Sequence, residues 1–216
     1  GAVVAGVGSR GYGDGCFKYP QGVAFADTPA HGPLVFVCDY GNDRIVALEP
    51  TALEWRFCFG AEASGSAAET AAEAADEDEE AHVLQLPSGI AADATECFVV
   101  DGSAHEVHVF STADGSRLRR LGQRGTWPGQ FEFPWGVALW RPPGAGSGGA
   151  AERRLLVAEG AASGGRRGRL QVLDAADGAH LQTLVTPSAG RLSGVCVDAE
   201  QARVCLVDHS AKAVRV

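Results

Sequence analysis

Short runs of alternating apolar and polar residues recur along the whole chain, separated by turns rich in Gly, Asn and Asp. Alternation with a period of two marks half-buried strands, and turn residues between such runs mark hairpins. Four stretches follow the same order. The first contains FKYPQGVAF (Phe17–Phe25), VFVCDYGNDRIVAL (Val35–Leu48) and LEWRFCFG (Leu53–Gly60). The second contains LQLPSGIAA (Leu84–Ala92), CFVVDGSAHEVHVF (Cys97–Phe110) and SRLRRLG (Ser116–Gly122). The third contains FEFPWGVAL (Phe131–Leu139), LLVAEG (Leu155–Gly160), RLQVLD (Arg169–Asp174) and HLQTLV (His180–Val185). The fourth contains GRLSGVCVD (Gly190–Asp198) and VCLVDHSAKAVRV (Val204–Val216).

Each stretch opens on Pro-x-Gly or a degenerate form of it and continues as an alternating strand. A second strand then ends on an acidic residue: Asp39, Asp101, Glu159 or Asp208. A turn and two further strands follow. Ile45, Val107 and Val214 each fall six positions after their Asp, so three of the four units keep one register. Four short antiparallel strands, repeated, predict an all-β fold of β-propeller blades, because radial packing buries sheet faces that an isolated blade would expose. Leucine-rich repeats have shorter units with one strand each, and helical repeats need a period of 3.6. The predicted blades span residues 9–60, 84–122, 123–185 and 186–216, with 61–82 as an acidic low-complexity insertion.

The run GDGCFKYPQGVA (Gly13–Ala24) followed by VCDYGNDRIVAL resembles the NHL repeat, written roughly G-x-F-x-x-P-x-G-V-A, strand, D-x-x-N-x-R-I-x-V. The first unit matches at Gly15, Phe17, Pro20, Gly22, Val23, Asp39, Asn42, Arg44 and Ile45, and the third matches its opening in GTWPGQFEFPWGVAL. The second and fourth units are degenerate: Ala104-His105-Glu106 and Ala211-Lys212-Ala213 replace Asn-x-Arg, and Leu192 stands in place of Pro. The resemblance assigns a repeat role to Pro20, Gly22, Asp39, Asn42, Arg44, Pro87, Gly89, Asp101, Pro134, Gly136, Glu159, Gly194 and Asp208. It implies a propeller, commonly six-bladed, that acts as a non-catalytic protein-interaction scaffold. In some members it is the substrate-recognition part of a ubiquitin ligase, and in others it binds RNA. The chain has no RING-type Cys/His pattern, so ligase chemistry would reside elsewhere. Gly1–Gly8 reads as the fourth strand of a blade. Either it completes the last blade, or both ends are cut from a larger propeller; the family's blade number favours the cut. The absence of Met and the start at Gly1 also suggest a fragment or a trimmed product.

With 45% apolar and 21% charged residues, the composition is that of an ordinary globular protein. No apolar run reaches the length of a membrane-spanning helix, and no membrane partner is expected. The formal charge of −9 is concentrated in residues 61–82, whose eight carboxylates leave the remainder at −1. Nucleic-acid binders usually carry a basic surplus, so RNA is not favoured by charge. None of the six Cys forms a CxxC pair and most sit in apolar runs, which predicts buried free thiols and an intracellular, reducing location.

Asp39, Asn42 and Arg44 have the look of a catalytic cluster. An acid that returns in every unit is better explained structurally: Asp39 is expected to cap the turn after its strand and Arg44 to pack across the blade. GVGSRGYGDG (Gly6–Gly15) has the composition of a phosphate loop but precedes a strand, not a helix, and reads as an inter-blade linker. The positions after each Pro or its replacement (Gln21, Ser88, Trp135 and Ser193) make a poor metal set, and no HxH or HExxH occurs. No cofactor or metal is predicted, and a metal-dependent lyase or lactonase-like propeller is the least favoured of the alternatives. The expected site is a loop face carrying Tyr40, Arg124, Trp127, Trp135 and His209. The basic loop residues Arg166, Arg167 and Arg169 should emerge on that face together with the acidic insertion. A protein or peptide ligand is favoured there, with single-stranded RNA as the alternative. Trp127 and Trp135 have a second reading, as plugs between neighbouring blades. The Gly-rich stretch Arg141–Arg154 is expected as a flexible loop on the opposite face.

Overall fold

A computed structural model of the chain describes residues 6–61, 84–142, 153–160, 168–185, 190–198, 200 and 203–216. Seventeen strands form among them. Two short strands, β1 (Ser9–Arg10) and β2 (Cys16–Phe17), pair in parallel ahead of the first blade. Blade one is β3 (Pro20–Thr28), β4 (Gly32–Asp39), β5 (Arg44–Leu48) and β6 (Trp55–Phe59). Blade two is β7 (Pro87–Ala92), β8 (Glu96–Asp101), β9 (Glu106–Ser111) and β10 (Arg117–Leu121). Blade three is β11 (Pro134–Trp140), β12 (Arg154–Glu159), β13 (Arg169–Asp174) and β14 (His180–Val185). Blade four has three described strands, β15 (Leu192–Asp198), β16 (Arg203–Asp208) and β17 (Ala213–Arg215). Every blade is an antiparallel meander in chain order, so the fold is that of a β-propeller.

The first strands pack on one another in series, β3 on β7, β7 on β11 and β11 on β15. The motif glycines explain how they come so close. A Cβ on Gly22 would lie 2.6 Å from the Ser88 carbonyl oxygen, and one on Gly89 would lie 2.4 Å from that of Trp135. On Gly136 it would press on the Cα of Gly194, at 3.0 Å. Each Pro-x-Gly thus brings one blade's backbone against the next, and close approach of the chain, not an unusual φ, requires the glycine.

Away from this axis the blades interleave through apolar faces. Phe36, Cys38, Ile45 and Phe59 of blade one meet Ile90, Cys97, Val99 and Phe110 of blade two. Phe98, Val100 and Val107 meet Val137, Leu155 and Leu173 of blade three. Leu156 and Leu170 meet Leu192 and Leu206 of blade four. Among the described residues no blade lies against β3 on one side of the series or against β17 on the other. Ile90 and Val137 are 7% and 6% exposed because the preceding blade covers them, whereas their counterpart Val23 in β3 is 66% exposed. Gly6–Gly8 carry no strand, and β17 has no further neighbour among the described residues.

The acidic residue that ends each second strand is a clamp. Asp39 accepts the Lys18 backbone N–H at 2.6 Å, Asn42 Nδ2 at 2.7 Å and Arg44 Nε at 3.0 Å. The expected turn cap is therefore corrected for blade one, where the carboxylate ties the start of the blade to its own motif side chains. Arg44 lies opposite Asp39 across the β4–β5 ladder. Its guanidinium donates to the carbonyls of Gly13 and Cys16, and Asn42 donates to that of Gly11, so the linker Gly6–Gly15 is pinned. Blade three repeats the device with different residues. Glu159 accepts the Glu132 N–H, Arg169 Nε and Gln171 Nε2, while Arg169 reaches the carbonyls of Thr126 and Gln130. Asp208 holds Arg215 and the Ala211 N–H in the same way. Asp101 caps its turn as expected, accepting Ser103 and Ala104 N–H as well as that of Gln85, and the Ala211 N–H on Asp208 is a turn cap of the same kind.

On the face of the loops that follow first and third strands, Arg153 is 6% exposed and bridges blades two and three. It donates to Asp93 at 2.7 Å and Glu96 at 2.6 Å, and Arg119 also pairs with Glu96. Burial by itself would raise the carboxyls of Asp93 and Glu96, but hydrogen bonds from these arginines outweigh it and hold both below the usual range. Within the stretch Arg141–Arg154 expected as a flexible loop, Arg153 is thus a fixed residue and Arg154 already belongs to β12; residues 143–152 lie outside the described residues.

Candidate functional site

The turns after second strands and the connections between blades open on one face. Hydrogen bonds across this face are regular: Gly41 N–H donates to the Lys18 carbonyl, Gly160 N–H to that of Phe133, and His209 N–H to that of Arg191. Two sets of non-glycine residues on it adopt left-handed backbone. One set is Tyr19, Leu86 and Phe133, each immediately before a motif Pro, with φ of 54°, 65° and 50°. The other is Asp43, His105 and Lys212, each four residues after a clamp acid, with φ of 51°, 62° and 51°. Such positions cost about 1 kcal/mol or more each and persist only where surrounding contacts enforce them.

The two sets enforce each other. Asp43 Oδ1 of blade one accepts the Leu86 N–H of blade two at 3.0 Å. His105 Nδ1 of blade two accepts the Phe133 N–H of blade three at 3.0 Å, with the two rings edge to face at 4.5 Å between centroids. The turns of blades one and two thus stitch themselves to the next blade, and the stitch turns Leu86 and Phe133 outward. Tyr19, Leu86 and Phe133 are 64%, 39% and 43% exposed. The outcome is a row of apolar side chains, one in each of the first three blades, presented on one face. A groove between Val7–Arg10 and Phe17–Pro20 adjoins it at blade one, where Lys18 Nζ donates to Tyr12 and lies over its ring.

Burial first, and then the nearby Arg124 charge, lower the pKa of His105, while Glu132 opposes this. Protonation would place an N–H where Nδ1 must accept. A histidine whose folded pKa lies below its unfolded value near 6.5 contributes stability at higher pH that is lost as pH falls through that range. His105→Asn keeps a side-chain acceptor and tolerates left-handed backbone. Urea unfolding at pH 7 is expected to agree with the wild type within about 1 kcal/mol, and the decline between pH 7 and 5 is expected to diminish.

The residues expected at the site are distributed as follows. Tyr40 is half-buried in the turn after β4, and Arg124 is exposed in a bridge to Phe131. Trp127, at 74% exposed, is no plug between blades. Trp135 is one: half-buried, it is covered by the Arg191 guanidinium of blade four at 3.8 Å from the ring centroid. Arg169 is drawn into the Glu159 clamp instead of the loop surface. His209 is exposed. Arg166, Arg167 and residues 62–82 lie outside the described residues. Tyr19, Leu86 and Phe133 were not anticipated. Their signal was a large apolar residue before Pro in three units, at a position that normally reads as extended chain.

Among the described residues no group of three or more His, Cys, Asp or Glu is arranged to hold a metal ion, and no helix is long and apolar enough to cross a membrane. The thiols depart from the buried expectation. Cys38 and Cys97 are buried, Cys16 and Cys205 half-buried, and Cys58 and Cys196 exposed.

The sequence matches no protein-family model and no curated protein. Solved structures resemble the fold. Hydrazine synthase of Kuenenia stuttgartiensis superposes with a TM-score of 0.56 at 15% identity, over 85% of this chain and 42% of that one. A chain of a nidogen/laminin complex gives 0.59 at 18% identity, over 91% and 59%. The WD40 domain of Neurospora crassa Pan2 gives 0.50 at 10% identity, over 87% and 43%. This chain thus spans about half the length of the structures it resembles, and at these identities the likeness is one of fold alone.

Proposed function

We propose that this propeller is a non-catalytic protein-interaction scaffold that binds an extended peptide segment along the stitched loop face. The observation that supports this most is the row Tyr19, Leu86 and Phe133: exposed apolar side chains on left-handed backbone, the last two held by side-chain stitches from the preceding blade. Preorganised aromatic and aliphatic anchors on a rigid frame are what binding hot spots consist of, because little side-chain entropy remains to be lost. Trp127, exposed in the connection ahead of blade three, and Tyr40, in the turn after β4, add aromatic surface to the same loop face in this reading, with Arg124 and Lys18 as donors. A nidogen/laminin complex among the similar folds is consistent with protein partners. The NHL kinship of the blades belongs to the same proposal. The side chains of its D-x-x-N-x-R element, Asp39, Asn42 and Arg44, are joined in one hydrogen-bonded unit in the blade that keeps it.

The test uses Tyr19→Asn and Leu86→Asn together. Asn tolerates left-handed φ, so the apolar side chains disappear while the backbone they decorate is unstrained. Peptides selected on the wild-type chain from a displayed random library are expected to lose tenfold or more in affinity for the double variant, whose midpoint of unfolding is unchanged or higher. Selected peptides that bind both proteins equally would remove this face from consideration.

A further inference from the structure

We propose that Cys196 and Cys205, opposed across β15 and β16 of blade four, form a dithiol–disulfide modification site with low-molecular-weight disulfides as its oxidants. The two residues are directly opposed across β15 and β16. Their neighbours Val195, Val197, Val204 and Leu206 pack toward blade three. Side chains alternate along a strand, so both thiols project the other way, where Cys196 is exposed and Cys205 half-buried. Val207 and Val214, paired on the same face, are 44% and 69% exposed, and no described blade covers them.

The position is a distinctive one in the repeat. The same opposed pair is Ala24–Phe36 in blade one, Ala91–Phe98 in blade two and Ala138–Leu156 in blade three. Phe36, Phe98 and Leu156 are at most 1% exposed, filling the contact with the next blade. Blade four alone carries two thiols there.

Geometry permits the bond. Directly opposed residues in an antiparallel ladder have Cα atoms about 4.5 to 5.5 Å apart, within the range of roughly 4.4 to 6.8 Å that disulfides span. Their Cβ atoms, at about 4.5 to 5.5 Å, are somewhat wider than a relaxed disulfide needs. Closure therefore draws the strands together and leaves a bond that is readily reduced, the property of a reversible site and not of a structural staple. The thiol of Cys196 is raised above its ordinary value by burial, then by the neighbouring Cys205 thiol, to which it hydrogen-bonds. Exchange should accordingly quicken as pH rises. The chemistry balances as two exchanges. One protein thiolate attacks a disulfide RSSR, giving a mixed disulfide and releasing RS⁻. The second protein thiolate then attacks the protein-side sulfur, forming Cys196–Cys205 and releasing another RS⁻. The protein is oxidised by two electrons and RSSR is reduced to two thiols.

The experiment equilibrates the folded chain with oxidised glutathione at pH 8, quenches with acid, alkylates remaining thiols and maps tryptic peptides. Cleavage after Arg191, Arg203 and Lys212 separates the two cysteines, so only a disulfide can join residues 192–203 to 204–212. The expected result is that linked pair as the dominant product, loss of two of the six alkylatable thiols, and reversal by excess reduced glutathione. Cys205→Ser should leave a glutathione mixed disulfide at Cys196. The proposal is overturned if the wild type stops at mixed disulfides, or if Cys196 pairs instead with Cys58 or between chains. It is equally overturned if the 196–205 link forms no faster in the folded chain than in guanidinium.

Discussion

Asp39→Asn is expected to lower the unfolding free energy by about 3 to 5 kcal/mol, the usual loss when one member of a buried ion pair is removed. Asp39 is fully buried and Arg44 8% exposed, so the guanidinium would keep its buried position without a counter-charge. The same carboxylate also holds the Lys18 N–H, and through Arg44 it fixes the carbonyls of Gly13 and Cys16. The loss should therefore spread through the linker into the first strand. Asp101→Asn is the matched control. That acid occupies the same place in blade two but has no Arg; Glu106 stands where Arg44 would be. Burial raises the Asp101 pKa, with the nearby Asp43 charge adding to it against three backbone N–H donors. A neutral amide removes the cost of burying that charge but keeps one acceptor oxygen where two are used, so an N–H donor is left facing an NH2 group and the loss should be about 1 to 2 kcal/mol, clearly below that at Asp39. Urea denaturation of both variants at pH 7 checks the contrast. Equal losses at the two sites would show that the carboxylate acts only as a backbone cap.

Gly89→Ala is expected to cost about 3 kcal/mol and to loosen the packing of blades two and three. Replacing Gly by Ala in a strand ordinarily stabilises slightly, because the unfolded chain loses freedom. Here the added methyl would lie 2.4 Å from the Trp135 carbonyl oxygen and 3.1 Å from the Gly136 Cα. Both are backbone atoms, which cannot rotate away, so β7 and β11 must separate, at the upper end of overpacking costs. Gly13→Ala is the informative comparison, since nothing lies within 4 Å of its Cβ position. Thermal unfolding of both variants should show a large decrease for the first and little change for the second.

Much of this architecture was legible in the chain. Alternation, Pro-x-Gly and the recurring acid indicated an all-β propeller of antiparallel blades, and the sheets have that form, because those patterns arise from local turn chemistry and from sheet faces that must be buried. What stayed hidden depends on contacts between segments. No spacing rule indicates that Asp39 binds a backbone N–H twenty-one residues earlier, or that Arg169 belongs to Glu159 while Arg166 and Arg167 precede it in the same basic run. Arg153 was equally inconspicuous at the edge of a Gly-rich stretch, although it joins Asp93 and Glu96 across two blades. The apolar row went unnoticed for a more specific reason. A residue before Pro is pushed toward extended backbone by the proline ring, so Tyr19, Leu86 and Phe133 look like strand starts. Only the stitches from Asp43 and His105 hold Leu86 and Phe133 in the left-handed region and turn them to solvent. The cysteines failed by context: VCVD and VCLV read as buried strand, and the face their thiols take in the last blade is one that no described blade covers.

The central claim, that the stitched loop face is the binding surface, is tested most directly by hydrogen–deuterium exchange of the chain with and without a library-selected peptide at saturating concentration. The account predicts slowed exchange at residues 18–19, 85–86 and 132–133 and in the turn 40–43, with no change in the opposite loops 93–95 and 111–116. Protection confined to those opposite loops, or to the exposed sheet faces of blades one and four, would contradict it.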